Sequence, residues 1–83
     1  MNKIIMVSHK GCYECSTYQT MLLSLKTDYG FEFEKDNNAD DYDVETTPSL
    51  IFYKDNKEVG RLIGLKPVAI IEDKINKYFG GVL

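Results

Sequence analysis

Two cysteines, Cys12 and Cys15, are the residues of this chain best suited to covalent chemistry, and no third cysteine accompanies them. A disulfide between partners so close in sequence closes a very small loop, restricts the unfolded chain little and so adds little stability. Structural bridges in small secreted domains are more numerous and join distant segments. A C-x-x-C pair in a reducing compartment points instead to redox chemistry or to a metal. Zinc asks for four ligands, and His9, Cys12 and Cys15 supply only three. A metal or iron–sulfur cluster bridging two chains would complete such a set, but nothing in the sequence requires one. Two unrelated structural thiols would be buried, separated and inert. Redox chemistry is the expectation.

The elements around the pair decide which sulfur does what. Residues 3 to 7 (Lys-Ile-Ile-Met-Val) lack polar alternation, as in a strand covered on both faces. Ser8-His9-Lys10-Gly11 breaks that run, and from Cys12 the period changes. Cys15, Tyr18, Leu22, Leu25 and Tyr29 recur at alternating spacings of three and four, one face of a helix that Gly30 should end. Cys12 therefore falls at the helix amino end, where unpaired N–H groups and the helix dipole favour an anion. Its thiol should have a lowered pKa, with His9 and Lys10 adding positive charge nearby. Cys15 lies one turn inward on the core-facing stripe. The expected roles are unequal: Cys12 attacks, Cys15 resolves.

Further along, Phe31 to Lys35 alternates as a second strand with one wet face. Asp36 to Glu45 carries Asp36, Asp40, Asp41, Asp43 and Glu45, and is expected to be a solvated loop with one helical turn, anchored by Tyr42 and Val44. Thr46-Thr47-Pro48 precedes a third strand, Ser49 to Tyr53. Lys54-Asp55-Asn56-Lys57 is turn chemistry, so Glu58 to Ile63 should return antiparallel. Pro67 suits the first position of a second helix, with Val68, Ile71, Ile75 and Tyr78 on its apolar face and Gly80-Gly81 at its end. The order β-α-β then β-β-α, with a right-handed crossover, gives an α/β domain built on a four-stranded mixed sheet flanked by helices.

The 83 residues suffice for one domain, residues 1–83, and the hydrophobic share of 43% suits a folded one. Ten Lys and Arg against 13 Asp and Glu leave a formal charge of −3, unlike the basic face of a nucleic-acid binder. No apolar run approaches the roughly 20 residues that span a bilayer. The first residues have too short an apolar run for a signal-peptide core, and the expected location is cytoplasmic.

Set on these elements, the motifs bring the chain close to a known family. Gly11-Cys12-Tyr13-Glu14-Cys15 at the strand-to-helix turn, Thr47-Pro48 before the third strand and Gly64 at the hairpin's end resemble the thioredoxin superfamily, in its short glutaredoxin-sized form. Nearly the whole chain takes part. The resemblance implies a thioredoxin-like fold and a redox-active Cys12–Cys15 disulfide. X–Pro bonds are ordinarily trans; the resemblance implies a cis Thr47–Pro48 bond that turns the Thr47 backbone towards the sulfurs. Gly64 would let a substrate backbone approach. Tyr13 and Glu14 flank the cysteines as substrate-docking candidates, Tyr13 either contacting substrate or covering the disulfide.

The sequence also departs from the pattern. It has no Trp, and Gly11 stands where thioredoxins place one before their motif. Met6 occupies a strand position that often carries a buried Asp, which leaves water or Glu14 to take the Cys15 proton. Glutathione-binding members usually carry Gly-Gly followed by Asp near their second helix, whereas this chain reads Ile63-Gly64-Leu65-Lys66-Pro67. That stretch is similar to the Gly-Phe-Arg-Pro of small redoxins with thioredoxin-like activity. The resemblance therefore implies a monomeric dithiol–disulfide oxidoreductase with no bound cofactor, acting on protein disulfides such as that of ribonucleotide reductase. Its electrons would come from NADPH through thioredoxin reductase. The alternatives are a glutaredoxin recycled by glutathione and, in another class, a non-catalytic binding module.

Overall fold

The computed structural model describes residues 1–80. Strand β1 (Asn2–Val7) leads to helix α1 (Tyr13–Tyr29), strand β2 (Glu32–Asp36) and a 3-10 helix (Ala39–Tyr42). Strands β3 (Ser49–Lys54) and β4 (Lys57–Ile63) and helix α2 (Val68–Phe79) follow within the described residues. The sheet order is β2-β1-β3-β4, with β1 parallel to β2 and both other pairings antiparallel. The expected mixed α/β sheet is thus observed. Gly81, named above with Gly80 as the end of the second helix, lies outside the described residues.

Alternation along the strands divides the core in two. Ile4, Met6, Leu50, Phe52 and Leu62 point to the side where both helices pack, meeting Cys15, Tyr18, Leu22 and Leu25 of α1 and Ile71, Ile75 and Phe79 of α2. Ile5, Val7 and Ile51 point to the other side, beneath Val44, Ala39 and Tyr42. The acidic stretch is therefore tied down by Val44 and Tyr42, with a single 3-10 turn between its charged residues.

Helix α1 keeps the predicted stripe, with Cys15, Tyr18, Leu22 and Leu25 buried and the Gly30 N–H donating to the Lys26 carbonyl at 2.8 Å. Two details of α2 correct the sequence expectation. Pro67 is the N-cap rather than the first helical residue: its φ of −67° suits proline, and its carbonyl accepts from Ile70 and Ile71. The buried stripe is Ile71, Ile75 and Phe79 at four-residue spacing, which leaves Val68 in the first turn 42% exposed. Tyr78 lies at the flank of that stripe, its ring centroid 5.1 Å from that of Phe52. Asp55 and Asn56 both have positive φ, as a tight two-residue hairpin turn requires.

One interaction makes stability depend on pH. The Tyr42 hydroxyl donates to Asp36 Oδ2 at 2.6 Å, and the Asn38 N–H donates to Oδ1 at 3.0 Å. These bonds, Tyr42's first, hold the Asp36 carboxyl below its ordinary 3.8 and push the Tyr42 phenol up. A carboxyl whose pKa is lower in the folded state stabilises the fold above the unfolded value, and that contribution is lost as pH falls through the folded value. The melting temperature of Tyr42→Phe should therefore lie below wild type near neutrality, with a gap that narrows below pH 3.8. A gap that widened on acidification would contradict this assignment.

Candidate active site

The site forms where β1 ends and α1 begins. After Val7 the chain leaves the sheet through Ser8, which is buried and whose N–H donates to the Asp36 carbonyl at 2.8 Å. The turn His9-Lys10-Gly11 follows, and the Cys12 N–H donates back to the His9 carbonyl at 3.3 Å. Cys12 is the N-cap of α1, in extended conformation and without a side-chain cap bond. The first N–H groups of the helix are thus left for a group at Cys12, as the physics of helix starts requires of an anion seat.

Cys12 and Cys15 are joined by a disulfide, with their Cα atoms 5.4 Å apart. Their environments differ sharply. Cys15 is 1% exposed and sits in the helix-side core near a fully buried Met6, whereas Cys12 is half-buried at the core's margin. A cavity of about 440 Å³ opens beside Cys12, lined by His9, Lys10, Gly11, Tyr13, Ser16, Lys35 and Asn37. Tyr13 is 92% exposed, so its ring does not cover the disulfide. Glu14 faces a different cleft, about 390 Å³ and largely apolar, shared with Thr17, Tyr18, Met21, Leu65, Lys66 and Pro67.

The Thr47–Pro48 peptide is cis, and Pro48 is fully buried. Because Val7 pairs with Ser49, the turn after β1 and the turn before β3 emerge side by side from the sheet. His9 Nδ1 and Thr47 Oγ1 share a hydrogen bond across that junction. Gly64 stands on the far side: a Cβ built there would meet only the Thr46 methyl, at 3.8 Å, and its φ of +83° suits glycine. His9, Thr47, Pro48 and Gly64 are thus gathered at one end of the sheet, with Lys10 and Tyr13 around Cys12 and Glu14 apart from it.

Two residues that sequence reasoning left as plain core or strand hold this end together. Ser49, fully buried, donates from its hydroxyl to the Thr46 carbonyl at 2.6 Å and accepts the Gly64 N–H at 3.2 Å. It ties the cis-proline turn to the end of β4. A hydroxyl opening an otherwise apolar strand was the available signal, since a buried hydroxyl must find partners. Tyr18, also fully buried, accepts the Lys66 N–H at 3.3 Å, and burial pushes its phenol up, so it stays neutral. Replacing Ser49 by Ala should leave the Gly64 N–H and Thr46 carbonyl without that partner, and a loss of about 1–3 kcal/mol in stability is expected, read from denaturant unfolding.

No family model matches the chain. A thioredoxin of Chlamydia pneumoniae is 40% identical over 45 residues, a match spanning 54% of this chain and 44% of that relative. The chain thus covers less than half the length of this relative. Among solved structures, a mutant thioredoxin from Halobacterium salinarum superposes with a TM-score of 0.82 at 20% identity, covering 93% of this chain and 74% of its own. Thioredoxin 1 of Thermosipho africanus gives 0.80 at 17% identity and covers 93% of each chain. A thioredoxin of Fasciola hepatica gives 0.79 at 23% identity, with 93% and 80% covered. At these identities the likeness is one of fold, and the fold is thioredoxin-like.

Proposed function

We propose that this chain is a member of the thioredoxin superfamily and a dithiol–disulfide oxidoreductase that reduces disulfides in other proteins, a reading that its fold and its sequence relative support together. The observation that carries the reading is the asymmetric pair, a half-exposed Cys12 at a helix start bonded to a fully enclosed Cys15. In the reduced protein, the Cys12 thiolate attacks one sulfur of the substrate disulfide. A Cys12–substrate bond forms as the substrate's S–S bond breaks, and the second substrate sulfur leaves as a thiolate that takes a proton from solvent. Cys15 then attacks Cys12 Sγ, the product sulfur departs, and the Cys12–Cys15 disulfide remains, two electrons poorer.

The uncapped helix start and Lys10 both favour the negative sulfur at Cys12. Docking falls to the exposed Tyr13 and to the turn around Thr47 and Pro48, whose far wall is Gly64. Met6 offers no proton acceptor, and Glu14 lies in another cleft, so the Cys15 proton passes to water. No helix among the described residues is long and apolar enough to cross a membrane; separately, a dithiol that must be held reduced suits the cytoplasm, where thiols are kept reduced.

The electron source in this reading is NADPH through thioredoxin reductase, with no cofactor held by the chain itself. Support comes from the loop after β4, where Gly64-Leu65-Lys66-Pro67 lacks the acidic residue that glutathione-binding members carry. The assay supplies oxidised protein and insulin with either thioredoxin reductase and NADPH or glutathione and glutathione reductase. Faster NADPH consumption in the first mixture is expected. Efficient recycling by glutathione alone would assign the chain to the glutaredoxins instead.

A further inference from the structure

We propose that Lys10 and Lys35 select protein substrates whose target disulfide is flanked by acidic residues, a refinement that rests on the dithiol reading above. The cavity beside Cys12 is lined by both lysines and by His9, and by no carboxylate, although the chain as a whole is negative. Glu14, Asp36, Asp43 and Glu45 are each engaged elsewhere. Glu14 lines the cleft on the other side of the α1 start. Asp43 and Glu45 line a separate hollow with Thr46 and Ile63. Asp36 pairs with Val7 on the sheet's opposite face, where Tyr42 and the Asn38 amide hold it.

Lys35 reaches this cavity through strand parity. It follows Phe31 and Phe33 at two-residue spacing, and both phenylalanines pack into the helix-side core. A lysine therefore closes a row of core-facing positions where β2 meets the turn after β1. Among the described residues neither Lys10 nor Lys35 forms an ion pair, so both ammonium groups are available to an incoming carboxylate. A concave wall carrying one sign of charge concentrates the opposite sign within about a Debye length, ~8–10 Å. Residues adjoining a substrate sulfur bonded to Cys12 would occupy that space. An acidic segment is attracted there, and a basic one is repelled before the sulfurs meet.

The test uses two peptides with one disulfide each, identical except that aspartates or lysines flank the cysteines. The wild-type protein at low salt should reduce the acidic peptide about fivefold faster than the basic one. That ratio should fall towards one in the double variant Lys10→Gln, Lys35→Gln, and also in wild type at high salt. The ratio is the readout because any effect of Lys10 on Cys12 itself is common to both peptides and cancels. Equal rates in wild type, or a ratio unchanged in the double variant, would overturn the assignment and leave the dithiol chemistry standing. Failure of wild type to reduce either peptide would overturn both.

Discussion

Cys12→Ser is expected to reduce insulin no faster than the uncatalysed background, a loss on the order of a thousandfold or more. The size follows from the enclosure of the pair. With Cys15 1% exposed, no second sulfur can take over the attack on a bulky disulfide when the outer one is removed. Cys15→Ser should fail differently, because the first step needs only Cys12. The mixed disulfide then has no internal thiolate to displace the product, and it should accumulate as a covalent adduct seen by mass spectrometry and dissolved by added dithiol. Full turnover by Cys12→Ser would end the dithiol reading. An adduct absent from Cys15→Ser would show that the two sulfurs do not divide the work as proposed.

The second large effect is on stability, at Gly60. Strand propensity alone predicts that Gly60→Val should strengthen β4, because glycine weakens a strand interior and valine suits one. The structure predicts the opposite. A Cβ at this position would fall 2.1 Å from Tyr78 Cζ, and the Tyr78 ring is held against Phe52, which pairs with Gly60. The ring must leave its place or α2 must lift. Overpacking of this kind costs about 1–3 kcal/mol, for a chain of this size a fall of roughly 5–20 °C in melting temperature. Adding Tyr78→Ala should return part of the loss, since the two changes share one space. A Gly60→Val protein that melts at or above wild type would refute the close approach.

Gly60 also illustrates why some of the molecule was legible in sequence and some was not. Elements defined by periodicity were readable: the three-and-four spacing from Cys15 to Leu25, the alternation through Phe33, the turn residues at Asp55 and Asn56. So was the placement of Cys12 and Cys15, which follows from a strand running into a helix. Contacts between distant segments left little trace. Nothing near Gly60 announces the Tyr78 ring, and nothing in the spacing of His9 and Thr47 announces their hydrogen bond. Ser49 and Lys35 lie between these cases. Each breaks an apolar pattern at the end of a strand, which marks it as unusual without saying what it touches. That Phe79 rather than the expected Tyr78 completes the buried face of α2 is a matter of phase, fixed by the row Ile71, Ile75, Phe79 meeting the sheet.

The strand order β2-β1-β3-β4 distributes composition as well as topology. The two central strands, Asn2–Val7 and Ser49–Lys54, carry the long apolar runs, whereas Glu32–Asp36 and Lys57–Ile63 form the rims. One rim presents Glu32, Glu34, Lys35 and Asp36, and the other Lys57, Glu58 and Arg61. An extended chain adding to either border would have to strip water from a charged side chain at nearly every second residue. Such borders are how sheets resist templating their own continuation into fibrils. The arrangement that brings the cysteines to one end of the sheet thus also keeps its unpaired backbone from recruiting further strands.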